Sequence, residues 1–325
     1  MRARLFAIIS NTFTETLRQP IYGVVIGIAV LFLALSPSLA MFTLDDDNQL
    51  LKDVGLSTLL VAGLFLAIFS AAGVVTEEIE NKTVLTVISK TVSRPLFIVG
   101  KFLGLAGAVV LALYLLSLVF LMTARHGVLM RSDEKSDHVV ITLGYGAGLI
   151  TVLVGLAGNY FYRWRFTSTA AFLGTILATF VIIMLFFIDP KWKYHPAPQN
   201  LNLELAGPIL LIMIASLIFT AIAVAVATRL GLVLTLITCI LLFMLGNVVN
   251  FWLGPIATQS GISSYLAWIV LAMVPAINIF VVTNAIYDGT AIPLSYIGQT
   301  ALYAFIYVSA ALLFAIALFR RREIG

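Results

Sequence analysis

Residue types able to carry chemistry are scarce in this chain, and their placement narrows what they could do. His126, His138 and His195 all fall in polar connections, and the single cysteine, Cys239, sits inside an apolar run. One thiol supports neither a disulfide framework nor a thiolate metal site, so no metal-ligand set and no catalytic residue is read from these four. Gly144-Tyr145-Gly146-Ala147-Gly148 imitates part of a dinucleotide loop, but it has no preceding strand and no acid at the proper distance. Small residues there are expected to let helices pack closely, as are Gly23/Gly27 and Gly155/Gly158. Gly100-Lys101 lacks the rest of the phosphate-binding G-x-x-x-x-G-K-[ST] loop, which occurs nowhere in the chain. Amides inside apolar runs remain: Asn159, Asn247, Asn250, Asn278 and Gln299, with Asn247 and Asn250 at i, i+3. Such amides either bond across helices or line a pathway. Asn247, Asn250 and Asn278 are the candidate pathway residues. No acid or base lies in the middle of an apolar run, which leaves an ion relay without its usual group.

The elements that must position these residues follow from composition. Of 325 residues, 61% are hydrophobic and 10% charged, against about 45–50% and about 25% in soluble domains. At roughly 20 residues per crossing, the length holds about eight or nine membrane helices and no soluble enzyme domain. A formal excess of only +4 gives no nucleic-acid footprint.

Runs free of Asp, Glu, Lys and Arg cover Gln19 to Leu44, Val54 to Thr76, Phe102 to Ala124, His138 to Tyr162, Phe166 to Ile188, Leu205 to Thr228, Leu230 to Tyr287 and Gly289 to Phe319. The run from Leu230 to Tyr287 is long enough for two segments, giving nine. With the N-terminus cytoplasmic, 13 of the 19 Lys+Arg and five of the 15 acids face inward, as the positive-inside rule requires. Both basic ends are then cytoplasmic and the number of crossings is even, so one segment enters and leaves by the same face. Gly261 to Asp288, interrupted by Pro275, Asn278 and Asn284, is predicted to be this re-entrant hairpin, since irregular backbone at membrane depth must line a cavity or be buried in protein. Residues 1–20 place Leu5, Phe6, Ile9, Phe13 and Leu17 on one face and predict an amphipathic interfacial helix that Pro20 ends. Trp164, Trp192, Trp252 and Trp268 fall near expected span ends, as interfacial anchors do. The fold class is all-α: a single polytopic domain over 1–325 with about eight spans, the N-terminal helix, and a re-entrant or external element over 255–291.

The most informative polar segment lies between the second and third runs, Glu77-Glu78-Ile79-Glu80-Asn81-Lys82-Thr83 through Lys90, then Ser93-Arg94-Pro95. Acids crowd its start and Lys90 its end, the charge order a helix dipole favours, with Ile79, Thr83, Val84, Val87 and Ile88 in one apolar stripe. A short helix across the membrane plane is predicted within 76–95; a solvated loop helix has the same pattern.

This stretch, EEIENKTVLTVISKTVSRPLFIVGKFLG, resembles the first cytoplasmic loop of ATP-binding-cassette type-2 permeases of the gliding-motility or copper-enzyme-maturation kind. Glu77, Glu78, Glu80, Lys82, Thr83, Ser89, Lys90, Ser93, Arg94, Gly100 and Lys101 carry the likeness, while Thr91 stands where that family has Pro. VPAINIF is similar to its Pro-containing re-entrant element and ALFRRREIG to its basic tail. The resemblance implies a coupling helix that docks on a separate nucleotide-binding subunit through Glu77, Glu78, Glu80, Lys82, Thr83 and Arg94. ATP and magnesium would then reside on that partner, with no cofactor and no enzyme activity on this chain. It further implies a homodimer, or a pair with a related permease, in a bacterial inner membrane. An extra span pair, roughly Val139 to Phe161 and Thr167 to Ile188, departs from the six spans common in that family. Glu77-Glu78 also resemble the paired glutamates of intramembrane abortive-infection-type proteases, but Lys82 stands where those need Arg, and no His lies in a span. A membrane assembly or scaffold protein and an ion-coupled secondary transporter are the competing classes.

Overall fold

Alternation of long uncharged runs with short polar connections leaves the backbone one way to satisfy itself in lipid, the helix. The computed structural model describes residues 2–40, 47–76, 93–128, 136–195, 201–259, 261–282 and 292–320. Within them lie ten α-helices: α1 (Arg2–Arg18), α2 (Pro20–Ala40), α3 (Asp47–Ala71, extended by a π turn over Ala72–Thr76), α4 (Arg94–His126), α5 (His138–Tyr162), α6 (Phe166–Phe187), α7 (Ala206–Ala227), α8 (Leu232–Ala257), α9 (Ile262–Met273) and α10 (Leu294–Arg320). Eight are long and apolar enough to cross a membrane, all but α1 and α9. The chain is therefore an all-α, multi-pass membrane protein. Coupling residues 77–92 lie outside the described residues.

Helices α3, α4 and α7 form the buried centre, and α2, α5, α6, α8 and α10 surround them. Outer residues such as Ile28, Leu31, Phe180, Leu241, Phe305 and Leu313 stay exposed on the protein, as a lipid-facing wall should. Lipid offers no hydrophobic force between helices, so close approach at small residues carries the packing. A Cβ on Gly63 of α3 would lie 2.3 Å from Ser216 Oγ of α7, and Gly100, Gly104 and Gly107 of α4 form a groove for α1. Successive α1 residues Ile8, Thr12 and Phe13 meet those three glycines in order, so α1 runs parallel to the start of α4. At about 1.5 Å per residue, α4 is roughly 50 Å long against a hydrocarbon core of about 30 Å, so its first turns overhang and α1 packs on them. The other glycine expectations divide: Gly23 meets Thr167 of α6, while Gly27, Gly146 and Gly148 have nothing within 4 Å. Close helix packing through the 144–148 stretch is thus corrected for Gly146 and Gly148, while a Cβ on Gly144 would lie 3.6 Å from Met122 Sδ of α4. These glycines lie on α5, an edge helix that packs mainly on α6 and leaves most of its surface open.

Tertiary links join helix ends that the charge sorting puts on one side. At one end of the bundle, Lys52 meets Glu204 at 2.8 Å and Arg125 Nε meets Asp137 at 3.0 Å. Asp137 also caps α5 by accepting from the amides of Val139 and Val140, and the Arg125 guanidinium donates to the carbonyls of Leu185 and Ile188 at the end of α6. This buried knot fastens the α5–α6 pair to the centre. Toward the other end, Lys101 of α4 is 2% exposed and reaches Glu15 of α1 at 3.5 Å.

Candidate functional site

Two clusters carry the polar chemistry inside this frame. The first surrounds α9. Helix α8 ends at Ala257, whose carbonyl accepts from Ser264 Oγ at 2.7 Å and Trp268 Nε1 at 3.1 Å, turning the chain back along α8. After the 12 residues of α9, Pro275 breaks the helix. Its carbonyl lies so close to Gly246 that a Cβ there would be 2.4 Å away. Gly246 is 11 residues from the end of α8, about 16 Å down at 1.5 Å per residue. The turn therefore reaches roughly the middle of a core about 30 Å thick.

The return path is fixed by tyrosines on α10. Tyr307 donates to the carbonyl of Met273 at 2.7 Å, Tyr303 accepts from the amide of Ala276 at 3.0 Å, and Tyr296 donates to the carbonyl of Ile279 at 2.6 Å. As the segment advances from 273 to 279, its partners step back from 307 to 296 toward the start of α10. The segment thus enters beside the end of α8 and returns beside the start of α10. The tyrosines satisfy backbone groups that a continuous helix would pair internally, which is what irregular backbone at this depth requires. Their spacing of seven and four residues places them on one α10 face, a helical signal that the sequence reading did not use.

Of the candidate pathway residues, the structure brings two together: Asn250 Nδ2 of α8 donates to Asn278 Oδ1 of the re-entrant turn at 2.7 Å. Asn247 instead donates to its own helix at Phe243 O, 2.8 Å away. Asn159 closes the α5–α6 turn by donating to Trp164 O at 2.6 Å.

The second cluster lies where α10 ends. Arg94, the candidate coupling residue inside the described range, donates to the carbonyls of Arg320 at 2.7 Å and Phe319 at 3.4 Å. Phe97 stacks on Phe319 with ring centroids 5.7 Å apart, and Arg229 from the α7–α8 turn donates to Leu318 O at 2.6 Å. Two cations thus cap the negative end of the α10 dipole. Arg94 is expected to meet a partner subunit, and within the chain its Nη1 is engaged at these two carbonyls. Glu77, Glu78, Glu80, Lys82 and Thr83 lie outside the described residues. Compared with known proteins, the chain matches no family model and no curated protein.

Proposed function

We propose that this chain is the membrane-spanning permease subunit of an ATP-binding-cassette exporter, with ATP hydrolysis on a separate nucleotide-binding subunit. The loop sequence over 77–95 supplies the resemblance. The observation that carries the mechanism is the double grip on α10. Arg94 and Phe97, at the end of the candidate coupling segment, hold its inner end, and the tyrosines of its outer half hold the re-entrant turn.

A displacement of the coupling segment by ATP-driven closure would pull on α10 through that cap. Movement of α10 would then shift the turn against α8, where Asn250 and Asn278 are bonded. Glu77, Glu78, Glu80, Lys82, Thr83 and Arg94 are assigned to the subunit contact, and Arg94 also links that contact to α10. Apolar walls without a central charge favour a lipid-like or amphipathic cargo, and the exposed faces of α8 to α10 leave room for a second copy or a related permease. Charge sorting favours cytoplasmic termini, and the resemblance implies a bacterial inner membrane.

Spatial connection alone does not establish coupling, so the test reads both ends. In a Cys239→Ser background, Asn278→Cys is labelled with a maleimide in the complex with its ATPase, with and without ATP and vanadate. Coupling predicts a severalfold change in labelling rate that Arg94→Gln abolishes. Equal rates in all states would remove the mechanism.

A further inference from the structure

An open groove of about 1100 Å³ lies at the inner end of the bundle, bounded by one face of α1, the α1–α2 corner and the α5–α6 turn. Its polar lining includes Ser10, Thr14, Arg18, Gln19 and Arg165, and Phe6, Pro20 and Ile21 supply an apolar edge. Glu15 also faces it, but Lys101 sits 3.5 Å behind that carboxylate and offsets its charge. Neither guanidinium has a hydrogen-bond or ion-pair partner among the described residues, and Gln19 Oε1 is a buried acceptor without a donor. Among the described residues the groove therefore offers two cations without a partner, while the buried amide end of Gln19 lies against Gly73 of α3 rather than open to the groove.

The depth of the groove says what meets those groups. Ile21 begins the exposed apolar surface of α2 and Phe166 that of α6, so the groove sits at the boundary between the lipid-facing walls and the polar end. The α5–α6 turn beside it exposes Tyr160, Phe161, Tyr162 and Trp164, the residue types that anchor a helix at headgroup level. That turn is built to hold its shape. Arg163 adopts the left-handed conformation at φ 57°, Tyr162 stacks on Trp164 at 5.3 Å, and the Trp164 ring closes over Gly158. Arg165 is thereby presented to the groove by a fixed turn.

We infer that this groove binds an anionic phospholipid of the inner leaflet, its phosphate between Arg18 and Arg165. Basic pockets between helices at the cytoplasmic surface recognise such headgroups, and planar guanidinium forks suit phosphate oxygens. The apolar edge takes the upper part of an acyl chain. The choice of leaflet rests on the orientation proposed above; the binding chemistry does not.

The full-length chain, purified in detergent, is titrated with phosphatidylglycerol, phosphatidylcholine or inorganic phosphate and bound lipid is counted by native mass spectrometry. Wild type is expected to retain phosphatidylglycerol at least tenfold more tightly than phosphatidylcholine, with no displacement by millimolar phosphate. The pair Arg18→Gln/Arg165→Gln should weaken it on the order of tenfold or more, and Arg18→Lys/Arg165→Lys should retain most of it. Lys191→Gln/Lys193→Gln, at the opposite end, should leave it unchanged. Equal retention of both lipids, displacement by free phosphate, or full retention by the glutamine pair in a variant that melts like wild type would overturn the proposal. Impermeant labelling of Arg163→Cys in a Cys239→Ser background reports orientation separately: reaction from outside reassigns the leaflet while the lipid titration stands.

Discussion

Gly246→Ala tests the seat of the re-entrant turn with the smallest possible change. The added Cβ would lie 2.4 Å from the Pro275 carbonyl oxygen and 2.7 Å from Ile277 Cγ1, where ordinary contact begins at 3.4 Å. One of those atoms is backbone and Ile277 is fully buried, so the turn itself must retreat by about 1 Å. The same retreat stretches the Asn250–Asn278 bond from 2.7 Å beyond hydrogen-bonding range. Overpacking costs about 1–3 kcal/mol and an interhelical bond in a membrane protein contributes about 0.6 kcal/mol, so a loss of about 2–3 kcal/mol is expected. At about 2 °C per kcal/mol for a chain of this size, the melting temperature falls by about 4–6 °C. The protein carries its own reporter: Cys239, the single cysteine, is fully buried on α8 seven residues before Gly246. A thiol-reactive fluorogenic dye therefore reads unfolding directly during a thermal ramp in detergent. Gly254→Ala, on the same helix with nothing within 4 Å of its Cβ, should shift the midpoint by under about 1 °C. If Gly246→Ala melts with wild type and Gly254→Ala, the turn does not seat on α8 and the half-depth geometry is wrong.

Other consequences can be read with the same ramp or by labelling. Tyr303→Phe removes the acceptor for the Ala276 amide without removing ring volume, and should cost about 1–2 kcal/mol. Arg125→Gln leaves Asp137 buried, the pair being 5% and 6% exposed, and should cost about 3–5 kcal/mol. Lys52→Gln breaks a more open pair with Glu204 and should cost under about 1 kcal/mol, so equal losses from the two variants would contradict the distinction. In a Cys239→Ser background, Gln259→Cys and Pro293→Cys should both react with an impermeant maleimide from the same side; opposite sides would make 261–288 a full crossing.

How much of this was legible in the sequence depended on whether the signal was local. Charge-free runs located α5 and α6 almost residue for residue, because lipid excludes charge and the turn Arg163-Trp164-Arg165 interrupts an otherwise continuous apolar stretch. Pro275 and the amide at Asn278 marked the break after α9, since both weaken a helix at membrane depth. What holds that break was not legible. Tyr296, Tyr303 and Tyr307 lie on one α10 face, but only the fold places that face against residues 273–279. The same holds for Arg94, which looked available to a partner until α10, more than two hundred residues later, brought its last carbonyls to it. Gly100, Gly104 and Gly107 had the spacing of a packing groove, yet Gly27, four residues after Gly23, has the same spacing and packs against nothing. Small-residue spacing permits close approach without saying which neighbour arrives.

The claim on which the functional account turns is that segment 77–95 binds a subunit that hydrolyses ATP. It is tested most directly by purifying the tagged full-length chain from its native membrane and measuring vanadate-sensitive ATP hydrolysis in the eluate, beside Glu78→Arg produced to the same level and melting at the same temperature. The account predicts ATPase activity with the wild-type chain and its loss with Glu78→Arg; an eluate without ATPase activity, or activity unchanged by the substitution, would contradict it.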